Sequence, residues 1–133
     1  MKIVVTGGCG FIGSYVVNEA LSIGHEVMVI DNLTYAASMA NLPAQNSSKN
    51  YSFAKLDISN ITSVRRVVMD FQPDSIIHLA AETHVDRSIS DSSLFISTNI
   101  VGTYNLLEAF RNLIEVSTSD NKRFIHVSTD EVF

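Results

Sequence analysis

The chain has 133 residues, 46% of them hydrophobic and 17% charged, with a net charge of −5. That length holds one domain with a sizeable core, and the composition excludes wholesale disorder. No apolar run approaches the roughly 18–20 residues of a membrane span, and the acidic balance presents no basic face to nucleic acid. The single cysteine, Cys9, has no disulfide partner in the chain, and no metal-ligand spacing occurs. Ile3-Val4-Val5 is too short for the apolar core of a signal peptide. The expectation is a soluble, cytoplasmic α/β domain.

Lys2 to Thr6 reads as a short apolar strand, and the cluster Gly7-Gly8-Cys9-Gly10-Phe11-Ile12-Gly13 follows at once. Apolar residues at helical spacing predict a helix from Phe11 to about Ile23, stopped by Gly24. Glu26 to Ile30 is a second strand ending at Asp31. Asn32 to Asn50 reads as loop with one short helix. Tyr51 to Leu56 is a third strand, closed by Asp57. Asn60 to Phe71 predicts a helix with Ile61, Val64, Val67, Val68 and Phe71 inside, ended by Pro73. Ser75 to Ala80 is a strand buried on both faces. A long helix from about Asp91 to Leu113 has Phe95, Ile100, Tyr104, Leu107 and Phe110 on its apolar face, read mostly as core. Phe124 to Ser128 is the last strand, with Thr129-Asp130-Glu131 at its C-terminal end.

Strands alternating with helices predict a parallel, Rossmann-type sheet of order 3-2-1-4-5 with helices on both faces. Ligands then bind over the carboxyl ends of the strands, at the switch between strands 1 and 4. The candidate residues collect there: Gly7 to Gly13, Asp31, Asp57, Ala81 to Thr83, and Thr129 to Glu131.

The glycines fit both Gly8-x-Gly10-x-x-Gly13 and Gly7-x-x-Gly10-x-x-Gly13. A strand before, a helix after and an acid ending the next strand make this a phosphate-binding turn rather than an ordinary one. Gly7 permits the tight turn, Gly10 lets backbone approach a pyrophosphate, and Gly13 lets the helix pack closely on the strand. Asp31 stands where a carboxylate accepts hydrogen bonds from the adenosine ribose. It repels a 2′-phosphate, and no arginine follows in Asn32-Leu33-Thr34, which favours NAD over NADP. Asp57 is open between a contact to the adenine amino group and a plain strand-end aspartate.

Three segments carry a family resemblance: Asp31-Asn32-Leu33-Thr34-Tyr35-Ala36, Leu79-Ala80-Ala81-Glu82-Thr83-His84-Val85-Asp86-Arg87-Ser88-Ile89, and Ser128-Thr129-Asp130-Glu131-Val132. With Thr98-Asn99-Ile100-Val101-Gly102-Thr103-Tyr104, they make the chain resemble, over essentially its whole length, the N-terminal part of dTDP-glucose 4,6-dehydratases. These belong to the extended short-chain dehydrogenase/reductase superfamily. The resemblance implies NAD contacts at Gly7, Gly10, Phe11, Ile12, Gly13, Asp31, Asn32, Leu33, Thr34, Asp57, Ile58, Leu79, Ala80, Ala81, Glu82, Thr83 and Thr98. It implies hexose contacts at Thr83 and Thr129. Asp130 matches the acid that protonates the departing C6 hydroxyl, and Glu131 the base that removes the C5 proton. Oxidation at C4 acidifies C5–H, water leaves across C5–C6, and hydride returns to C6. One carboxyl of the pair must be protonated and its neighbour ionised. The implied product from dTDP-glucose is dTDP-4-keto-6-deoxyglucose, and the implied full-length enzyme is a homodimer.

The superfamily's Tyr-x-x-x-Lys pair finds one match, Tyr51-Ser52-Phe53-Ala54-Lys55, which is rejected. In a strand, positions four apart stand roughly 13 Å from each other rather than on one helical face. Residues 1–133 are therefore expected to be the NAD-binding domain of a longer enzyme, inactive alone, with the substrate domain elsewhere. Cys9, where alanine is commoner in the family, reads as a tolerated substitution. His25 reads as a surface residue, and His78 and His126 as structural histidines. Asp86 and Arg87 read as a loop-stabilising pair at least as readily as catalytic groups, and His84 beside them carries no assignment. The alternatives are a nucleotide-sugar epimerase or decarboxylase of the same superfamily, or a non-catalytic NAD-binding module.

Overall fold

The computed structural model describes residues 1–35, 37–42, 49–83 and 89–129. In chain order these form β1 (Lys2–Thr6), α1 (Phe11–Ser22), β2 (Glu26–Asp31), a 3-10 turn (Met39–Asn41) and β3 (Tyr51–Lys55). Then come α2 (Ile61–Phe71), β4 (Ser75–His78), α3 (Ser92–Phe95), a π-helical segment (Ile96–Gly102), α4 (Thr103–Val116) and β5 (Arg123–His126). All four strand pairings are parallel, in the order β3-β2-β1-β4-β5. The predicted sheet is the observed one, with its switch between β1 and β4.

Side chains alternate across each strand, so the sheet builds two cores. Val4, Ile30 and Ile76 point to one face, where Val64, Val68 and Phe71 of α2 meet Leu106, Ala109, Phe110 and Leu113 of α4. Ile3, Val5, Val27 and Val29 point to the other, under Val17 and Ala20 of α1. Local chemistry sets the helix ends. Asn60 caps α2 by accepting the Ser63 N–H at 3.0 Å. Gln72 ends it in the left-handed region (φ 51°), directly before Pro73. The sheet covers less at its β5 margin, where Ile125 and Val127 are each 47% exposed.

The long helix departs from the expected pattern. It runs from Ser92 to Val116 without a break in helical backbone, but its middle is π-wound. Its inward residues are Gly102, Asn105, Leu106, Ala109, Phe110 and Leu113. Of the stripe expected in the core, Phe110 is buried, whereas Ile100, Tyr104 and Leu107 face outward. α4 itself carries two neighbouring apolar stripes, Tyr104 with Leu107 and Leu106 with Ala109, Phe110 and Leu113, and the core takes the second. Gly102 is where this helix approaches closest: a Cβ there would stand 2.5 Å from Ile58 Cγ1. Asn105, buried beside it, donates through Nδ2 to the Ile58 and Ser59 carbonyls at 2.9 and 2.8 Å.

One ionisable side chain lies deep between the layers. His78, at the end of β4, is 1% exposed and has both ring nitrogens engaged, Nδ1 with Thr6 Oγ1 at 2.7 Å and Nε2 with Thr103 Oγ1 at 2.9 Å. It is the satisfied structural histidine expected of the strand. Burial, and secondarily the charge of His126 beside it, push its pKa from 6.5 down to about 4.

Two outcomes follow for stability. Leu106→Ala removes a fully buried side chain and should cost roughly 2–5 kcal/mol, whereas Leu107→Ala, one residue away on the outward face, should change stability by less than about 0.5 kcal/mol. Urea unfolding of the two variants checks this. As pH falls from 6.5 towards 4, the unfolded chain takes up a proton that folded His78 refuses, so stability falls across that window and the loss ends below it. The contribution is on the order of 3 kcal/mol. His78→Phe should remove that component of the pH slope, read from unfolding curves at a series of pH values.

Candidate functional site

The cleft opens over the carboxyl ends of β1, β2 and β4. It is built first by backbone. Gly7 sits at φ 68°, a conformation that suits glycine, and a Cβ there would stand 2.8 Å from the Ala80 nitrogen in the segment after β4. Gly13 is held to glycine from the other side, since a Cβ on it would collide with the Gly7 carbonyl oxygen. A Cβ on Gly8 would strike Val29 in the core. Of the two glycine spacings, Gly7-x-x-Gly10-x-x-Gly13 is therefore the one that shapes the turn. Gly10 differs: a Cβ on it would meet only the Gly7 oxygen, at 3.3 Å, so its bare side is left to the cleft that it lines.

Gly10 is also the N-cap of α1, and no side chain caps that helix or places a negative charge in its first turn. The amide N–H groups of the first turn have no partners within the helix, and the helix dipole adds positive potential there. Such an end receives a phosphate or pyrophosphate. Phe11 and Ile12 lie on this first turn with side chains 79% and 58% exposed.

Asp31 stands across the cleft at the end of β2. Its side chain is buried and already fixed: Oδ2 accepts the Cys9 N–H at 2.9 Å and Oδ1 the Leu33 N–H at 2.8 Å. Leu33 is thereby held in the left-handed region (φ 56°), and its side chain packs in the core beneath α1 rather than lining the cleft. The carboxylate retains lone pairs for a diol. No lysine or arginine lines the cleft among the described residues, so nothing there answers an added phosphate. Cys9 lies beneath, fully buried, its thiol pushed up to about 12 by burial and then by the Asp31 carboxylate. It is a packed thiol, not a nucleophile.

Asp57 lines the same cleft. Its Oδ1 accepts the Ser59 N–H at 2.8 Å and its Oδ2 takes the Asn32 Nδ2–H at 3.3 Å, so it also organises the turn into α2. Asn32, Thr34, Ile58, Leu79, Ala80, Ala81, Glu82 and Thr98 complete the predicted residues on the lining. Ile30, Tyr35, Ala37, Leu56 and Leu94 line it too and were not singled out from the sequence. Four are aliphatic, and all five lie within or beside segments read from the sequence as strand, loop or helix rather than as ligand contacts. Thr83 is exposed at the edge of the described segment, and Thr129 is exposed beyond β5. Asp130 and Glu131 lie outside the described residues, as do His84, Asp86 and Arg87.

The wall after β4 is fastened by residues to which sequence reasoning gave no role at the site. Thr6 Oγ1 accepts the Leu79 and Ala80 N–H groups, each at 3.2 Å. Asn99, in the π segment, clamps Glu82 from both sides, accepting its N–H at 2.8 Å and donating to its carbonyl at 3.0 Å. The signal available was positional: a threonine ending β1 and an asparagine next to Thr98. Among the described residues no group of three or more His, Cys, Asp or Glu could hold a metal, and no helix is long and apolar enough to cross a membrane.

Comparison with known proteins agrees with this architecture. The family model for GDP-mannose 4,6 dehydratase matches residues 4–133. The dTDP-glucose 4,6-dehydratase 1 of Escherichia coli (strain K12) is 49% identical, over 100% of this chain and 38% of its own length. In structure, the chain is similar to DesIV, the dTDP-glucose 4,6-dehydratase of Streptomyces venezuelae with NAD and TYD bound, at TM-score 0.76 and 39% identity. That likeness covers 85% of this chain and 36% of DesIV. It is also similar to the UDP-glucose 4-epimerase of Thermotoga maritima with UDP-glucose, at TM-score 0.83 and 34% identity, covering 97% of this chain and 38% of the epimerase. The chain thus spans well under half the length of each of these three relatives. By sequence and by fold, it belongs to the GDP-mannose 4,6 dehydratase family, and within it resembles the dTDP-glucose 4,6-dehydratases along its whole length.

Proposed function

We propose that residues 1–133 are the NAD(H)-binding Rossmann domain of a longer cytoplasmic enzyme, a sugar-nucleotide 4,6-dehydratase acting on dTDP-glucose. One observation carries the cofactor reading: the uncapped start of α1 and the immobilised Asp31 carboxylate face one cleft with no basic residue on its described lining. The first suits a pyrophosphate, the second a ribose diol, and the missing cation disfavours a 2′-phosphate. DesIV, solved with NAD bound, supports the same assignment. When bound, NAD⁺ supplies the acceptor that takes hydride from the sugar and returns it.

The chain's own contribution to the chemistry is the acid/base pair. In this reading Asp130 protonates the departing C6 hydroxyl, Glu131 takes the C5 proton, and Thr83 and Thr129 hold the hexose. The E. coli relative supports dTDP-glucose as substrate. The outward stripe Ile100, Tyr104 and Leu107 supports a homodimer of the whole protein, because an apolar helix face of this kind is suited to a second helix pair. A second reading, a 4-epimerase, is favoured by the closer structural likeness to the T. maritima enzyme. Asp130-Glu131 weighs against it, since epimerisation needs no acid/base pair for dehydration.

Calorimetric titration of the chain should give tighter binding of NAD⁺ than of NADP⁺. Asp31→Asn should weaken NAD⁺ by about tenfold or more, the value of one charge-assisted hydrogen bond. Because Asp31 also holds Cys9 and Leu33, the variant's thermal midpoint must be recorded alongside. Equal binding of both dinucleotides would remove Asp31 from its role. In the whole protein, Glu131→Gln should lower dehydration by roughly 10²–10⁴-fold with NAD⁺ binding retained. Formation of a 4-epimer in place of a 4-keto-6-deoxy sugar would instead establish the second reading.

A further inference from the structure

His78 lies directly under the cleft wall, and the proposed chemistry makes no use of it. Counting hydrogens fixes its state. The Thr6 hydroxyl oxygen already accepts the Ala80 N–H and a share of the Leu79 N–H, so its one proton is left for His78 Nδ1 at 2.7 Å. Nδ1 therefore accepts, and the ring proton sits on Nε2, which donates to Thr103 Oγ1 at 2.9 Å. The Thr103 hydroxyl in turn donates to the Asn99 carbonyl at 2.8 Å. From the Ala80 amide to the Asn99 carbonyl, the hydrogen bonds run in one direction.

One end of this chain of bonds is on the cleft, and the other adjoins two residues that line it. Leu79 and Ala80 belong to the wall after β4, and Ala80 is the residue against which Gly7 turns. Asn99 follows Thr98 and clamps Glu82. The geometry points to neutral His78, in its Nε2–H form, as a positioning residue for the dinucleotide site: it keeps the wall from Leu79 to Glu82 in register with the glycine turn and with Thr98. This rests on the cofactor reading above.

Protonation would undo it. A second ring proton on Nδ1 would need an acceptor in Thr6, whose oxygen is taken up by the wall's own amides, so one of those amides would have to let go. The groups facing the ring are Thr6 from β1, Thr103 from α4, and Phe124 and His126 from β5, the last with ring centroids 5.0 Å apart. His126 is the titratable neighbour, and its charge opposes a second one on His78. Among the described residues, no carboxylate is bonded to the ring.

Two substitutions separate positioning from packing. In His78→Asn the amide oxygen can still accept from Thr6, but nothing reaches Thr103. In His78→Phe both bonds are lost while the volume is kept. NAD⁺ affinity, measured at neutral pH on protein verified as folded by circular dichroism, should fall roughly tenfold in His78→Phe as the competent wall becomes a minor state. It should fall less in His78→Asn. Nitrogen-15 spectra of the histidine rings should show wild-type His78 as the Nε2–H form, with the Ala80 and Glu82 amide signals shifting only as that ring protonates in acid. Unchanged affinity in both folded variants, or a His78 ring found as the Nδ1–H form, would overturn the proposal. If the wild-type chain bound no NAD⁺ at all, the cofactor reading would fail. Positioning of the wall would then be judged by the spectra alone: amide shifts that follow His78 protonation would sustain it, and their absence would end it.

Discussion

The architecture of this site depends on how closely three pieces of backbone approach at Gly7. The residue turns with positive φ, Ala80 presses on it from the end of β4, and Gly13 brings the first turn of α1 against its carbonyl. A side chain at Gly7 or Gly13 would force these apart. The helix end would then draw back from the sheet, and the amides that give it positive potential would no longer meet the cleft at the β1–β4 switch. The rest of the fold holds these pieces in place: two cores clamp a parallel sheet, and the strand ends deliver Thr6, Asp31, Asp57 and His78 to one edge.

Much of the remaining order at that edge comes from polar side chains bonding to backbone rather than to one another. Asp31 ties the glycine loop to the turn after β2, Asp57 shapes the entry to α2, and Asn99 ties the π segment to Glu82. These bonds are all made between groups of the protein itself. A dinucleotide would therefore meet donors and acceptors already fixed, and would lose less conformational entropy in ordering them. The cysteine of the glycine loop is buried away from the cleft, its thiol kept protonated by that burial and by the Asp31 carboxylate.

Apolar periodicity and glycine spacing made most of the fold legible. The alternation of strands and helices, the helix start at Phe11 and the position of Asp31 follow from local signals, while Asn60, read as the first residue of the second helix, is its N-cap. Two limits were physical. A glycine pattern read along the chain cannot say whether Gly7 or Gly8 makes the turn, since that depends on Val29 and Ala80 arriving from elsewhere. A helix with two neighbouring apolar stripes does not say which of them the sheet takes, which is why Leu107 reads as inward and Leu106 is there instead. The sequence gives the fastening residues Thr6, Asn99, Thr103 and His78 no fastening role, since each acquires it by meeting a partner far away in sequence. Resemblance, not periodicity, singled out Asp130 and Glu131.

The π segment has a consequence for how this helix can vary. Leu94 before it and Thr98 within it address the cleft; after it, Leu106 and Ala109 address the core on the sheet. One continuous rod thus serves two surfaces, the cleft through its first turns and the core through its last. Removing a single residue between Ile96 and Gly102 would rotate one end against the other by about 100°, so that either the ligand wall or the core would lose its contacts. The stretch therefore acts as a phase coupling between packing and binding, its length fixed by both surfaces at once.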